Sequence, residues 1–236
     1  MKIVFIHGAG HTGELWSDVQ THFPGAIAPS LPGHPDGEAQ ASVESYAQWL
    51  IERHLSDAGD GRAVLVGNSM GGAIAMTVAL HATERVAALV LIGSGAKLRV
   101  HPDIFAQLER DFTAAARTLA QLQLAPDAPE ARIARIVAAM ERTGPAATIA
   151  DLRACDAFDL RERLGDIGAP TLVISGTEDR MTPPKYAQFL RERIPAATLE
   201  SLEGAGHVPQ LEQPERVART LAAFLGKIGE GAQSIR

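Results

Sequence analysis

The chain is poor in cysteine, aromatic residues, positive charge and long apolar runs, and each shortage closes off a class of function. Of 236 residues one is cysteine, Cys155. A single thiol forms no internal disulfide, which suits a reducing compartment and makes the cytoplasm the expected location. Cys155 lies on a helix-like run with Leu152 and reads as a small buried hydrophobe rather than a reactive thiol. Lysine and arginine number 22 against 28 aspartate and glutamate, a formal net charge of −6. No basic patch is there to neutralise phosphates, so nucleic acid is excluded as a partner, and nothing draws the chain to an anionic membrane surface. No apolar run approaches the ~18 residues of a membrane span. Met1 to Ile6 is too short for the apolar core of a signal peptide. There is no internal repeat and no low-complexity tract. Only Gly226 to Arg236 is glycine-rich and polar enough to fray.

Metal and nucleotide sites are missing too. His7 and His11 stand four apart, but in a glycine-rich loop rather than on one helix face, and there is no His-Glu-x-x-His and no cysteine pair. Gly8-Ala9-Gly10-His11-Thr12-Gly13 spells G-x-G-x-x-G after a strand. The next strand, however, ends at Ala28-Pro29 with no acid to hold a ribose. No metal and no cofactor are therefore expected.

What remains is an ordinary globular composition, 46% hydrophobic and 21% charged, long enough for one large domain. Short apolar runs at Ile3–Ile6, Ala63–Val66, Val86–Ile92 and Thr171–Ser175, with Gly25–Ala28 and Ala197–Leu202, read as about six strands. Helical patterns lie between them at Glu14–His22, Ala41–Asp57, Gly71–Ala79 and Pro184–Arg193, and a last helix runs from Pro214 to about Leu225. Alternating strands and helices imply right-handed crossovers and a mainly parallel sheet flanked by helices, an α/β fold. From about Lys97 to Asp166 the alternation stops and helix follows helix, punctuated by Pro126, Pro129, Gly144 and Pro145. The division expected is a core of residues 1–96 and 167–236, with a helical cap, residues 97–166, inserted in it.

The stretch Leu65-Val66-Gly67-Asn68-Ser69-Met70-Gly71-Gly72 carries the chemistry. A strand turning sharply into a helix strains its central residue and leaves no room for side chains two positions to either side. Gly67-x-Ser69-x-Gly71 meets that demand and lifts a serine hydroxyl to a helix N-terminus, where developing negative charge is stabilised. Serine needs a base, and the base needs an acid to fix its tautomer. Both stand just past strand ends, at Gly176-Thr177-Glu178-Asp179 and Gly204-Ala205-Gly206-His207. Strand carboxyl ends share one rim of a parallel sheet, so Ser69, Asp179 and His207 are expected to converge as nucleophile, acid and base. Rivals for the acid are Glu178, Asp156 and Asp159. His22, His54, His81 and His101 read as surface groups, and His7 and His34 as loop hydrogen-bonders. A tetrahedral intermediate needs two N–H donors. Met70, after the nucleophile, offers one, and the loop after the first strand the other, from Ala9 or alternatively Gly10.

Phe5-Ile6-His7-Gly8-Ala9-Gly10, Leu31-Pro32-Gly33-His34, Val66 to Gly72, Ile174 to Asp179 and Gly206-His207-Val208-Pro209-Gln210-Leu211-Glu212 together resemble the α/β-hydrolase superfamily, in family order across nearly the whole chain. The resemblance implies a serine carboxylesterase acting on small-molecule esters, as a monomer or homodimer. The chain opens at the strand before the His-Gly loop, so the family's N-terminal hairpin is not expected. The Gly-Asn-Ser-Met-Gly-Gly elbow is also similar to that of carbon–carbon bond hydrolases of ring-cleavage products. Those enzymes commonly carry tryptophan after the catalytic histidine, where Val208 stands here. An amidase with the same triad, or a non-catalytic ligand receptor on the same scaffold, are the other readings of these residues.

Overall fold

The computed structural model describes residues 2–56 and 61–233. Five strands, β1 (Lys2–Ile6), β2 (Ala63–Asn68), β3 (Val86–Ile92), β4 (Thr171–Gly176) and β5 (Ala197–Leu202), lie in that order in one sheet. Every pairing is parallel. Parallel strands need crossovers on the sheet faces, so both faces are covered and the central strands read as apolar runs, while the edge strand β5 carries exposed polar residues. β2 and β3 are buried along their whole length.

Alternation sorts the side chains into two cores. Val4, Ile6, Leu65, Leu89, Leu91 and Val173 point to one face. Phe5, Val64, Val66, Val90, Ile92 and Ile174 point to the other. Trp16 stacks on Phe5 with ring centroids 5.0 Å apart. The helix expected over Glu14–His22 is a 3₁₀ turn, Gly13–Trp16, running into α1 (Ser17–Gln20). Helix α2 (Val43–Leu50) starts at a Ser42/Ser45 capping box and passes into a π-helical turn, Ile51–Leu55. Asp57, its expected end, lies outside the described residues. Helix α3 (Met70–His81) is buried on nearly all sides, which its small residues allow.

Between β3 and β4 come α4 (Pro102–Arg110), α5 (Phe112–Gln123) and α6 (Glu130–Ala157). The last is two helices meeting at Gly144, whose φ of 82° and ψ of 167° are not helical, with Pro145 next. Helix α7 (Pro184–Arg193) separates β4 from β5, and α8 (Pro209–Glu212) and α9 (Pro214–Gln233) follow. Helix α9 runs past Leu225, so the glycine-rich tail is helical as far as Gln233; residues 234–236 lie outside the described residues. Proline at the first turn of α4, α7 and α8 costs no hydrogen bond there.

The sixth strand is reduced to a bridge. Ile27 pairs with Val4, and Phe5 N–H donates to Ile27 O (2.8 Å) while Ile27 N–H donates to Ile3 O (3.0 Å). Gly25, at φ +86°, and Pro29 leave too short a run between them for a strand. β1 thus has β2 on one side and Ile27 on the other. The chain leaves β1 in both directions, and a crevice opens at that switch point beyond the carboxyl ends of the strands.

Candidate active site

Ser69 joins β2 to α3. Its φ of 55° and ψ of −118° make it the one non-glycine residue with positive φ among the described residues. Its N–H donates to Ile92 O (2.9 Å), and its carbonyl accepts from Gly72 N–H (2.9 Å) and the Ser94 hydroxyl (2.9 Å). These bonds hold a backbone conformation that costs free energy on its own. The flanking glycines are a steric necessity. A Cβ on Gly67 would lie 2.2 Å from Gly71 O, and one on Gly71 would lie 2.2 Å from Ile6 O. Both obstacles are backbone. Gly71→Ala is therefore expected to lose roughly 3–5 kcal/mol of stability by urea denaturation. Gly165→Ala, whose Cβ would meet nothing within 4 Å, should stay within about 0.5 kcal/mol.

Asp179 and His207 stand past β4 and β5 and are both buried. His207 Nδ1–H donates to Asp179 Oδ2 (2.9 Å), with Oδ1 at 3.1 Å. Asp179 Oδ1 also accepts from the N–H groups of Met181 (2.8 Å) and Thr182 (2.8 Å), and Oδ2 from the Thr182 hydroxyl (2.8 Å). Burial opposes ionisation of Asp179. The His207 charge and these hydrogen bonds outweigh it and hold the carboxyl below its usual range. The rival acids are elsewhere: Glu178 is exposed, Asp156 binds Val100 N–H, and Asp159 pairs with Lys97 and Arg161.

Ser69 and His207 line one cavity of about 70 Å³, together with Leu98, Leu119, Met140 and Leu152. Neither the Ser69 hydroxyl nor His207 Nε2 is taken up by another described residue, so each is available to the other. Asn68 fixes their frames relative to one another, since its amide donates to both Ile92 O (3.1 Å) and His207 O (3.0 Å).

The N–H groups of Met70 and Ala9 are among those with no acceptor in the hydrogen bonds of the described residues. Met70 is the first residue of α3 and has no partner four residues back. Ala9 N–H is also unpaired in the loop after β1. Gly10 N–H is committed, donating 2.9 Å to Asp151 Oδ2. That bond engages the N–H offered as the alternative to Ala9.

Asp151, on α6, was not singled out in the sequence. It is fully buried and accepts from Gly10 N–H, His34 Nε2 (2.7 Å) and the Tyr46 hydroxyl (2.6 Å). Burial lowers the pKa of His34, but the hydrogen bond and charge of Asp151 prevail and raise it above histidine's ordinary value. The pair's contribution to stability is thus present at low pH and fades as pH rises through that raised value. His7 has the structural role expected of it, donating from Nδ1 to Gly8 O (2.9 Å) and accepting Leu31 N–H at Nε2 (2.9 Å). Glu212 closes the last motif of the family resemblance, which assigns it no role. Its two oxygens accept from Ala125 N–H (2.8 Å) and Gly206 N–H (2.7 Å) and so brace the His207 loop. His22, His81 and His101 are exposed as expected, whereas His54 is half-buried and packs edge-on against Trp49. Cys155 is buried, and burial pushes its thiol up.

His11 sets an acid limit. Burial lowers it from 6.5 to about 4, only partly opposed by its bond to Gln123. A histidine depressed in the fold takes up its proton on unfolding, so stability is lost as pH falls from 6.5 towards 4, by about 3 kcal/mol from this group. His11→Asn should flatten the loss of stability between pH 7 and pH 5 in urea titrations, relative to wild type.

Among the described residues no cluster of three or more histidine, cysteine or carboxylate side chains could hold a metal ion, and no helix is long and apolar enough to cross a membrane. Residues 3–220 match the alpha/beta hydrolase family. The chain is 30% identical to the pimeloyl-[acyl-carrier protein] methyl ester esterase of Vibrio vulnificus strain YJ016, over 95% of this chain and 94% of that one. It is 29% identical to the esterase of the same name from Aromatoleum aromaticum, over 92% and 94%. A thermophilic esterase of known structure superposes with a TM-score of 0.87 at 34% identity, over 96% of this chain and 90% of that one. Est816, described as an N-acyl homoserine lactone degrading enzyme, superposes with a TM-score of 0.82 at 30% identity, over 95% and 93%. On this match along almost its whole length, the chain belongs to the alpha/beta hydrolase family, as a carboxylic ester hydrolase.

Proposed function

We propose that Ser69, His207 and Asp179 are the nucleophile, base and acid of a carboxylesterase that cleaves small acyl esters through an acyl-enzyme. The carrying observation is the Asp179–His207 bond at 2.9 Å at the edge of the cavity that Ser69 lines. With Nδ1–H given to the carboxylate, the lone pair of His207 is on Nε2, where it can take the serine proton. Ser69 Oγ then attacks the ester carbonyl. The oxyanion is met by Ala9 and Met70 N–H at the positive end of α3. His207 returns the proton to the departing alcohol, and water, deprotonated by the same imidazole, releases the acid.

Residues 97–166 act as the cap over a core of residues 1–96 and 167–236. The bridge between Lys97 and Asp159 and the bond from Leu160 N–H to Ala96 O (2.7 Å) tie the two ends of this insertion together. Leu119, Met140 and Leu152 bring it to the cavity wall. A volume of about 70 Å³ favours short acyl groups. The related enzymes act on a methyl ester, which is in keeping with a small alcohol here. The carbon–carbon hydrolase, amidase and receptor readings gain no support from those relatives. Reducing chemistry and an acidic surface favour action in the cytoplasm on a small-molecule ester.

A panel of nitrophenyl esters of increasing acyl length tests this. Acetate and butyrate esters should turn over with the highest kcat/KM, with a steep fall beyond about eight carbons. A phosphonate ester should modify Ser69 and no other residue, read by mass spectrometry of peptides. Turnover without phosphonate labelling of Ser69 counts against the assignment.

A further inference from the structure

Besides Asn68 Oδ1 at the elbow, two buried polar atoms on the cavity wall have no partner. The first is the Thr148 hydroxyl on α6. Threonines in helices usually donate to the carbonyl four residues back. Thr77, Thr83 and Thr118 do so here, at 2.9, 2.8 and 3.1 Å. For Thr148 that residue is Gly144, where the helix is broken. The break thus denies Thr148 its customary acceptor, and the residue is only 1% exposed.

The second atom is His11 Nδ1. His11 Nε2 is bonded to Gln123 Oε1 at 2.7 Å. An amide oxygen only accepts, so Nε2 carries the proton and Nδ1 presents a lone pair. The two atoms are neighbours of the same loop residue. Gly10 precedes His11 in the chain, and a Cβ on Gly10 would lie 3.3 Å from Thr148 Oγ1. Gly10 also follows Ala9, the oxyanion donor, so this polar corner adjoins the reacting carbonyl. Leaving a buried donor or acceptor unmet is costly, and the aliphatic wall of Leu119, Met140 and Leu152 meets neither. An aliphatic hydroxyl on a substrate donates to a lone pair and accepts from an O–H at once, and so satisfies both atoms.

We propose that Thr148 Oγ1 and His11 Nδ1 form a polar subsite that reads a hydroxyl close to the scissile carbonyl, so that the preferred substrates are short hydroxy-acid esters. This rests on the catalytic role of Ser69. Nitrophenyl esters of 2- and 3-hydroxybutyrate are compared with that of butyrate, in wild type, Thr148→Val and Thr148→Ser. Wild type favours at least one hydroxy ester by about tenfold in kcat/KM. Thr148→Val, nearly isosteric, brings that ratio to about one. Because it removes a hydroxyl with no internal partner, its Tm is equal to or above that of wild type. Thr148→Ser keeps the preference, and serves as the folded test in its own right should the valine variant not fold. Equal kcat/KM for all three esters in wild type overturns the subsite, as does a preference that survives in Thr148→Val or vanishes in Thr148→Ser. Turnover of butyrate that persists in Ser69→Ala overturns the catalytic reading instead.

Discussion

Ser69→Ala lowers kcat for nitrophenyl butyrate by about 10⁴-fold or more and leaves the protein folded. The size follows from the chemistry. Without Oγ there is no acyl-enzyme, and what survives is water attacking an ester polarised by the Ala9 and Met70 N–H groups, which alone are worth about 10³-fold over solution. Folding is untouched because the hydroxyl bonds to no other described residue, while the bonds that hold the elbow are made by the backbone of Ser69. Alanine keeps the same Cβ, so the strain at φ 55° is unchanged. The Tm should match wild type within about 2 °C. Ester binding persists, since the cavity wall is intact, and a competitive product acid keeps its Ki within about threefold. A purified variant that retains a tenth of wild-type kcat removes Ser69 from the nucleophile's role.

The elbow and the pairing of Asp179 with His207 were legible in the sequence because each leaves a local mark. Gly67 and Gly71 are forced by backbone oxygens 2.2 Å from where a side chain would begin, so the demand appears within five residues of chain. Asp179 follows the apolar run of β4 that ends in Gly176, His207 stands past β5 in a loop with Gly204 and Gly206, and the geometry of a parallel sheet does the rest. Asp151 leaves no such mark. Its partners Gly10, His34 and Tyr46 are 141, 117 and 105 residues away, and one acid among the residues of α6 looks like any solvated helix carboxylate. Glu212 stands in the Gly206 to Glu212 motif, yet its role is not legible there: what it holds is backbone N–H, which every residue has. The strand at Gly25–Ala28 failed in another way. Its composition suits a strand, but only Ile27 reaches β1, and the turn on either side decides its length. In the loop after β1 the sequence prefers Ala9 and keeps Gly10 as the alternative, and the carboxylate of a distant helix takes the Gly10 N–H.

Asp179→Asn is expected to cost about 10³–10⁴ in kcat near neutral pH while keeping the fold, and the reason is which proton His207 would carry. Oδ1 of Asp179 accepts two backbone N–H groups, from Met181 and Thr182. An asparagine must put its oxygen there, since an NH₂ would face two donors. Its NH₂ then occupies the place of Oδ2, 2.9 Å from His207 Nδ1. A donor at that point requires Nδ1 to accept, so the imidazole moves its proton to Nε2. An Nε2–H can donate to Ser69 but cannot take its proton, and the base is lost although no atom has moved far. The stability cost is small, because the backbone donors stay satisfied; Asp179→Ala leaves both N–H groups unpaired in a buried place and should cost roughly 2–4 kcal/mol more. The acid limb also changes. Asp179 is held below its usual range in the fold, so its contribution to stability is present above pH 3.8 and is lost as pH falls through the lowered value; the asparagine variant lacks that loss. Kinetics and NMR separate the outcomes. A proton on Nε2 of His207 with kcat reduced at least about a thousandfold is the expected pair of results. Wild-type kcat with the proton still on Nδ1 would show that the Asp179–His207 bond does not fix the tautomer on which the base depends.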